Sequence, residues 1–311
     1  MKSDVEGKSI DVIIPIYKPD ERLQRIIRRL LMQSRKVNEI ILLQTLDEHE
    51  RIAKFKEPNI TVLPVQKNEF DHGLTRKFGA EHSDADILVF MTQDAVPKDK
   101  NMLKELVDPI ERDNSVAMSY ARQIPSDHAD IIEAYTREFN YPDKDCIKSS
   151  EDITKLGIKT YFVSNSCAAY EKGIYEKLGG FEREIFAEDM MFAIKAVNSG
   201  YKIAYTARAQ VIHSHNDTLK TVFQRNFDIG VLHKLHESIF AHLKSESEGL
   251  KMVKTITVRL LKRGNILKMF YFIAGCGAKF LGYQLGKGYD ILPPKLTNRF
   301  TLNKEYWYHN S

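Results

Sequence analysis

Asp94 stands just past an apolar run, Ile87 to Met91, inside the segment Thr92-Gln93-Asp94-Ala95. A carboxylate at a strand tip can hold a hard divalent cation that shares its shell with substrate phosphates. Upstream, Glu69-Phe70-Asp71-His72-Gly73-Leu74 runs directly into Thr75-Arg76. The guanidinium fork of Arg76 matches a phosphate or a ribose-side carboxylate. Framed this way, the residue types fit a metal-chelated diphosphate, and so chemistry on a nucleotide-activated donor. Each has a plainer alternative. Aspartate is a common turn residue, and Asp71-His72-Gly73 could be only a turn into a helix capped by Thr75.

Two later segments add acid–base and metal-binding capacity. Glu188-Asp189 follows Gly179-Gly180-Phe181 and opens a helical pattern. Acidic residues in a first turn offset the helix dipole. They can equally supply a general base and its orienter, or an acceptor for a sugar hydroxyl. His213-Ser214-His215 follows an apolar run. Neutral imidazole beside a carboxylate suits a transition metal such as Mn²⁺. On an extended segment alternate side chains point to opposite sides, so the expectation is that only one of the two imidazoles faces the site.

The elements that must position these groups alternate. Ser9 to Ile16, Glu39 to Leu43, Ile60 to Val65 and Ile87 to Met91 read as buried strands; Arg22 to Met32, Arg76 to His82 and Asn101 to Arg112 read as helices. Val116 to Tyr120 and Tyr161 to Tyr170 are strand-like, Asp127 to Ser150 reads as a polar mobile excursion, and Asp189 to Ser199 is a helix ended by Gly200. Ala209 to Ile212 reads as an edge strand. The expectation is an α/β fold: a mixed, mostly parallel sheet with helices on both faces. Ligands of such sheets bind beyond the carboxyl ends of the strands, where Tyr17, Gln44 and Asp94 lie.

The bulk numbers bound the class. The 311 residues are 43% hydrophobic and 28% charged, ordinary for a well-cored protein. Cys146, Cys167 and Cys276 are odd in number and far apart, which argues against a disulfide framework and for a reducing cytoplasm. The polar start, Met1 to Lys8, does not read as a secretory signal. From Lys244 to Ser311 there are 12 Lys/Arg against 4 Asp/Glu, a net of +8, which leaves −4 for the rest of a chain whose total is +4. A basic tail on an acidic body points to an anionic partner for the tail. Its apolar positions, Val253, Ile256, Leu260, Leu267 and Phe270, keep helical spacing, and the most apolar stretch, Met269 to Ala278, is half the roughly twenty residues a membrane span needs. The tail therefore reads as a helical region packed on the body, as an interfacial helix on anionic lipid, or as both. It shows no nucleic-acid recognition motif, and its aromatics do not interleave with its charges. The boundary is set at residue 240: a catalytic domain over 1–240 and a helical region over 241–311 that is membrane-associating, acceptor-binding or oligomerising.

Taken in order, Val12-Ile13-Ile14-Pro15-Ile16-Tyr17, Glu69-Phe70-Asp71-His72-Gly73 with Thr75-Arg76, Thr92-Gln93-Asp94-Ala95 with Pro97, Gly179-Gly180-Phe181, Glu188-Asp189-Met190 and Val211-Ile212-His213-Ser214-His215-Asn216 resemble the motifs of the family-two inverting glycosyltransferases of the GT-A fold, and among these the bacterial rhamnosyltransferases of surface and cell-wall polysaccharides. The resemblance implies that Asp94 and one of His213 and His215 bind Mn²⁺ or Mg²⁺, that Asp189 is the catalytic base with Glu188 beside it, and that Pro15, Ile16, Tyr17, Gln44, Asp71, His72, Arg76, Thr92 and Gln93 line the donor. It implies dTDP-L-rhamnose as donor, a polyprenyl-diphosphate-linked glycan as acceptor, and work at the inner face of the bacterial plasma membrane. Thr92 and Gln44 depart from the family's usual aspartates, although a glutamine carbonyl can still accept from a pyrimidine N3–H. The departures leave two alternatives: a UDP-sugar transferase of the same fold, or a non-catalytic binding subunit.

Overall fold

The computed structural model describes residues 7–215, 217–243 and 246–308. Asn216 and the first six residues lie outside it. The chain opens β1 (Ile10–Ile16), α1 (Glu21–Leu31), β2 (Glu39–Leu46), β3 (Ile60–Gln66), α2 (His72–Glu81), β4 (Ile87–Met91), β5 (Val96–Pro97) and α3 (Met102–Arg112). It continues β6 (Val116–Ile124), α4 (Ile131–Asn140), β7 (Cys146–Lys148), α5 (Ile153–Leu156), β8 (Cys167–Glu171), α6 (Lys172–Lys177), α7 (Glu188–Asn198) and β9 (Lys202–Ile212). The rest is helical: α8 (Leu219–Leu235), α9 (Glu237–Phe240), α10 (Glu246–Lys262), α11 (Ile266–Lys287), α12 (Pro294–Phe300) and α13 (Lys304–Tyr308).

One sheet runs in the order β3-β2-β1-β4-β8-β6-β9-β5, with β7 also paired to β9. The β3-β2-β1-β4 half is parallel, and β8 joins it antiparallel to both β4 and β6. The α/β expectation holds, with helices on both faces. Alternate residues of β1 split between two cores. Ile10, Val12, Ile14 and Ile16 pack on one face with Leu23, Ile26, Ile27 and Leu30 of α1, whose apolar positions recur at helical spacing. Ile13 faces the other side, where Phe90, Tyr170, Tyr175, Phe181 and Phe192 form an edge-to-face cluster under α7. Removing one such ring typically costs about 3–5 kcal/mol.

Four readings need correction. The polar stretch 127–150 is not an excursion: Asp130 caps α4 by accepting from the Ile132 amide, and Cys146–Lys148 adds β7 to the sheet. Its apolar residues are divided: Tyr135 of α4 packs on Ile256, Leu260 and Phe272 of the tail, while Tyr141 joins Phe162 and Tyr205 in the core of the sheet. Residues 209–212 are not an edge strand but the end of the eleven-residue β9, flanked by β6 and β5. Asp71, not Thr75, caps α2, accepting from the amides of Gly73 and Leu74 at 2.9 Å each, so the helix starts one turn earlier than expected. The apolar pattern from Val253 to Phe270 spans two helices, α10 and α11, broken at Gly264 (φ +70°), and Leu267 and Phe270 are exposed, not core.

Glycine sets how α11 joins the body. A Cβ on Gly282 would stand 2.3 Å from the Phe223 carbonyl oxygen, and one on Gly286 would stand 2.1 Å from that of Phe227. The two helices α8 and α11 therefore touch backbone to backbone. Beyond α11, buried Asp228 of α8 accepts from the Thr301 hydroxyl at 2.6 Å and from the amides of Leu302 and Asn303. Burial pushes the Asp228 carboxyl up to about 6. This clasp lays the last segment over the Asp71-His72 turn, where Asn303 and Tyr306 close a small cleft with Phe70, Asp71 and His72.

Candidate active site

The chemistry-bearing residues gather where β1, β4, β9, α2 and α7 end or begin. Asp94, in the turn after β4, meets both histidines beyond β9: His213 Nε2 lies 3.3 Å from Asp94 Oδ1, and His215 Nε2 lies 3.7 Å from Oδ2. The expectation that one imidazole would point away fails because β9 ends at Ile212, so strand alternation does not govern 213–215. The His213 Nδ1–H donates to Gln123 Oε1 at 2.8 Å, which directs Nε2 toward Asp94. Gln123 is itself oriented by donating to the Tyr141 hydroxyl and Ser164 Oγ. One donor atom from each of Asp94, His213 and His215 lies within 4.8 Å of the others. The three groups are close enough to share one cation, and the two-imidazole, one-carboxylate set suits Mn²⁺ better than Mg²⁺, which prefers oxygen. Burial opposes ionisation of Asp94, but His213 and His215 more than offset it and hold the carboxyl well below its usual range.

Glu188 and Asp189 open α7 but sit in different surroundings. Glu188 is buried, pairs with Arg76 at 3.1 Å and accepts from Asn165 Nδ2 at 2.9 Å. Burial disfavours its charge, yet Arg76 and His72 hold it below the usual carboxylate range. Among the described residues Asp189 accepts from backbone amides alone, Asn165 at 2.9 Å and Met190 at 2.7 Å. Burial, and then the charge of Glu188, raise its carboxyl. The turn leading in is strained: Ala187 has φ +56°. Gly73 makes room for it, since a Cβ there would stand 2.0 Å from the Glu182 carbonyl oxygen and 3.3 Å from Glu188 Cβ. The Asp-His-Gly turn and the Glu-Asp helix start are thus packed into one unit.

Other expected donor residues serve the frame. Arg76 faces Glu188 and the His72 carbonyl instead of a free surface, because a buried carboxylate needs a paired charge. Gln93 accepts from the Tyr17 amide at 2.9 Å and donates to its carbonyl at 3.0 Å, stitching β1 to β4 at the switch point of the sheet. Gln44 at the end of β2 accepts from the Ala53 amide at 2.7 Å and donates to the Arg51 carbonyl. Its amide thus holds the 51–53 loop, which is a correction to the reading of it as a free base acceptor. Pro15 and Ile16 pair with Leu43 and Gln44. Tyr17 reaches Asp47, which also binds Lys18 and Lys67, a cluster of which the sequence marked only Tyr17.

A cavity of about 1400 Å³ joins these pieces. Glu188, Asp189, Asn165, His72 and Arg76 form one wall; Thr92 and His215 form another, which brings it beside Asp94. Pro15, Ile16, Tyr17, Gln44 and Gln93 are not in the lining. From the carboxylates the cavity extends between α4, α8 and α11. Sequence reasoning missed Gln123, Asn165 and Glu133. Glu133 accepts from the His215 amide at 2.7 Å. Nothing local marks them, since their partners lie 90, 24 and 82 positions away.

Comparisons with known proteins bear on the family and the fold. The family model "Glycosyl transferase family 2" matches residues 11–179. The chain is 37% identical to the O-antigen chain rhamnosyltransferase RfbN of Salmonella typhimurium and 38% identical to WbaN of Salmonella anatum, each over 96% of both chains. Among solved structures it resembles the mannosyltransferase PcManGT of Pyrobaculum calidifontis in complex with GDP-Man and Mn²⁺ (TM-score 0.61, 13% identity, 92% of this chain and 88% of that one). It also resembles GalNAc-T7 with UDP, GalNAc and Mn²⁺ (TM-score 0.52, 13% identity, 81% and 55%). At these identities the two structures support the fold.

Proposed function

The chain belongs to glycosyl transferase family 2 and is a glycosyltransferase, and from that premise we propose that it transfers L-rhamnose from dTDP-β-L-rhamnose to a polyprenyl-diphosphate-linked glycan in O-antigen synthesis, with inversion to an α-rhamnoside. The observation that carries the reading is that the Asp94–His213–His215 cluster and the Glu188–Asp189 pair adjoin one cavity. Asp189, its carboxyl raised and free of any side-chain cation, takes the proton from the attacking acceptor hydroxyl. The oxygen–C1 bond forms as the bond from C1 to the departing diphosphate breaks on the opposite face, and the proton stays on Asp189 Oδ. Glu188, charge-paired to Arg76, acts by positioning and by keeping negative charge beside the base. Asp94, His213 and His215 would hold Mn²⁺, or less favourably Mg²⁺, which when bound neutralises charge on the leaving diphosphate.

Among the described residues no helix is long and apolar enough to cross a membrane. Ile266, Phe270, Ile273 and Phe280 on α11 are nonetheless 54%, 61%, 45% and 62% exposed, and Lys251, Lys254 and Lys262 of α10 lie on exposed positions nearby in the chain. This is the composition of a surface that rests on anionic lipid, and the tail from 241 onward is proposed to hold the enzyme peripherally at the cytoplasmic leaflet. No role is assigned to nucleic acid. Pairing of copies through the same face would compete with lipid. The donor test is thermal stabilisation by dTDP, UDP and GDP with and without Mn²⁺ or Mg²⁺. A metal-dependent shift largest for dTDP is expected. A shift largest for UDP favours the UDP-sugar alternative, and binding without turnover on any acceptor favours the non-catalytic one.

A further inference from the structure

Helix α11 is amphipathic in the wrong sense for a helix that merely covers a core. Its outward arc, Ile266, Phe270, Ile273 and Phe280, is apolar and exposed. Its inward arc carries Lys268, Phe272, Gly275 and Lys279 into the cavity. Lysine is ordinarily the outward residue of a helix. Facing it, α8 lines the cavity from Leu219 to His233, a rise of about 21 Å at 1.5 Å per residue. The chamber therefore runs well past the carboxylates that mark the reacting centre.

The cations of the chamber are not equivalent. Arg225 is paired with Asp217 at 2.7 Å, Lys268 with Asp130, and Arg137 with Glu133 at 3.6 Å. Among the described residues Lys279 has no hydrogen-bond or ion-pair partner. Lys279 is partly buried and lines the cavity with Phe272 and Cys276, so an anion in the chamber would find an ammonium with no competing ion pair. The donor diphosphate has its own determinants at Asp94 and the histidines, at the other end of the cavity.

We infer that the chamber between α4, α8 and α11 is a second anion subsite, in which Lys279 binds the phosphate that links the acceptor sugar to its lipid. The apolar chain then leaves past Phe272 and Tyr271, which line the chamber and of which Tyr271 is exposed at its mouth. The inference builds on the reading of the acceptor as a lipid-linked glycan and gives it a residue. It also accounts for the close Gly282 and Gly286 contacts, which fix α11 against α8 and so fix Lys279 relative to Asp189.

The test is binding, so it stands apart from turnover. Farnesyl diphosphate, farnesol, inorganic pyrophosphate and dihexanoyl phosphatidylglycerol are titrated calorimetrically into the full chain saturated with dTDP and Mn²⁺, which blocks the donor site. Farnesyl diphosphate is expected to bind wild type best. Lys279→Ala should weaken it about tenfold, Lys279→Arg should keep it, and farnesol should be indifferent to both. Equal affinity of Lys279→Ala and wild type overturns the inference. So does pyrophosphate binding as tightly as the prenyl diphosphate, which would make the chamber a free-anion site, and so does equal binding of phosphatidylglycerol, which would make it a phospholipid site. With a lipid-linked acceptor, Lys279→Ala should raise KM and leave kcat and the donor KM alone. Failure of wild type to transfer rhamnose while the binding pattern holds counts against the donor assignment, not against the subsite.

Discussion

The two halves of the proposed site, the frame around Asp94 and Glu188-Asp189 and the chamber between α4, α8 and α11, are built by opposite rules. In the frame, the proposed donor side, nearly every polar group is spoken for: Gln93 on Tyr17, Gln44 on the 51–53 loop, Arg76 on Glu188, His213 on Gln123. On the acceptor side three helices present one face each, the packing rests on glycine, and a lysine is left unpaired. In the proposed function the first half holds a charged, metal-chelated group in one pose, which calls for preorganisation. The second would take a long amphiphile, which calls for length, an apolar exit and one cation.

Breaking the chemistry should leave both halves folded. Asp189→Asn should lower kcat by about 10²–10⁴-fold, the usual worth of a general base, while dTDP still raises the melting temperature. Because burial and Glu188 raise the Asp189 carboxyl, the base is lost as pH falls through that raised value. The acid limb of kcat/KM should therefore lie above the ordinary aspartate value of about 3.9. A limb at that ordinary value would remove Asp189 from the role.

Breaking the packing should separate the halves. Gly286→Ala forces a Cβ toward the Phe227 carbonyl and should cost about 1–3 kcal/mol by thermal melts, with acceptor KM raised and donor KM kept. Asp228→Ala removes three hydrogen bonds to residues 301–303 and should cost a comparable 1–3 kcal/mol, roughly the worth of leaving those donors unpaired. With the Asp228 carboxyl pushed up to about 6, the folded state binds the proton more tightly than the unfolded chain. That contribution is full below about 3.9 and is lost as pH rises through about 6. In wild type minus Asp228→Asn difference melts, stability should fall over that window and be flat above it. Lys67→Ala, on the exposed Tyr17–Asp47 cluster, should change the melting temperature least of all, because exposed ion pairs contribute little.

The same contrast explains what could be read from the chain in advance. The strands around β1 to β4 announce themselves as apolar runs, and the donor motifs sit at their tips, so Asp94 and the Glu188-Asp189 pair were visible as types at positions. What was invisible is long-range. Arg76 meets Glu188 across 112 positions, and the geometry that turns both histidines toward Asp94 arises only because β9 stops one residue short of them. The helical tail was legible as periodicity, but its sense was not. Apolar spacing predicts a stripe and cannot tell whether it faces core or solvent, and α11 turns part of its stripe outward. The cap of α2 was misjudged because both Asp71 and Thr75 satisfy the cap rule, and only the packing of Gly73 against Glu182 chooses the earlier start.

A cation held by Asp94, His213 and His215 beside a base at Asp189 is the core of the proposed mechanism. Its most direct test is the melting shift induced by dTDP as Mn²⁺ is titrated, read for wild type, Asp94→Ala and Asp189→Asn together with turnover of dTDP-L-rhamnose. The expected result is a Mn²⁺-dependent shift in wild type and Asp189→Asn, no such dependence in Asp94→Ala, and turnover in wild type alone. A Mn²⁺-dependent shift that survives intact in Asp94→Ala, with turnover retained, would contradict it.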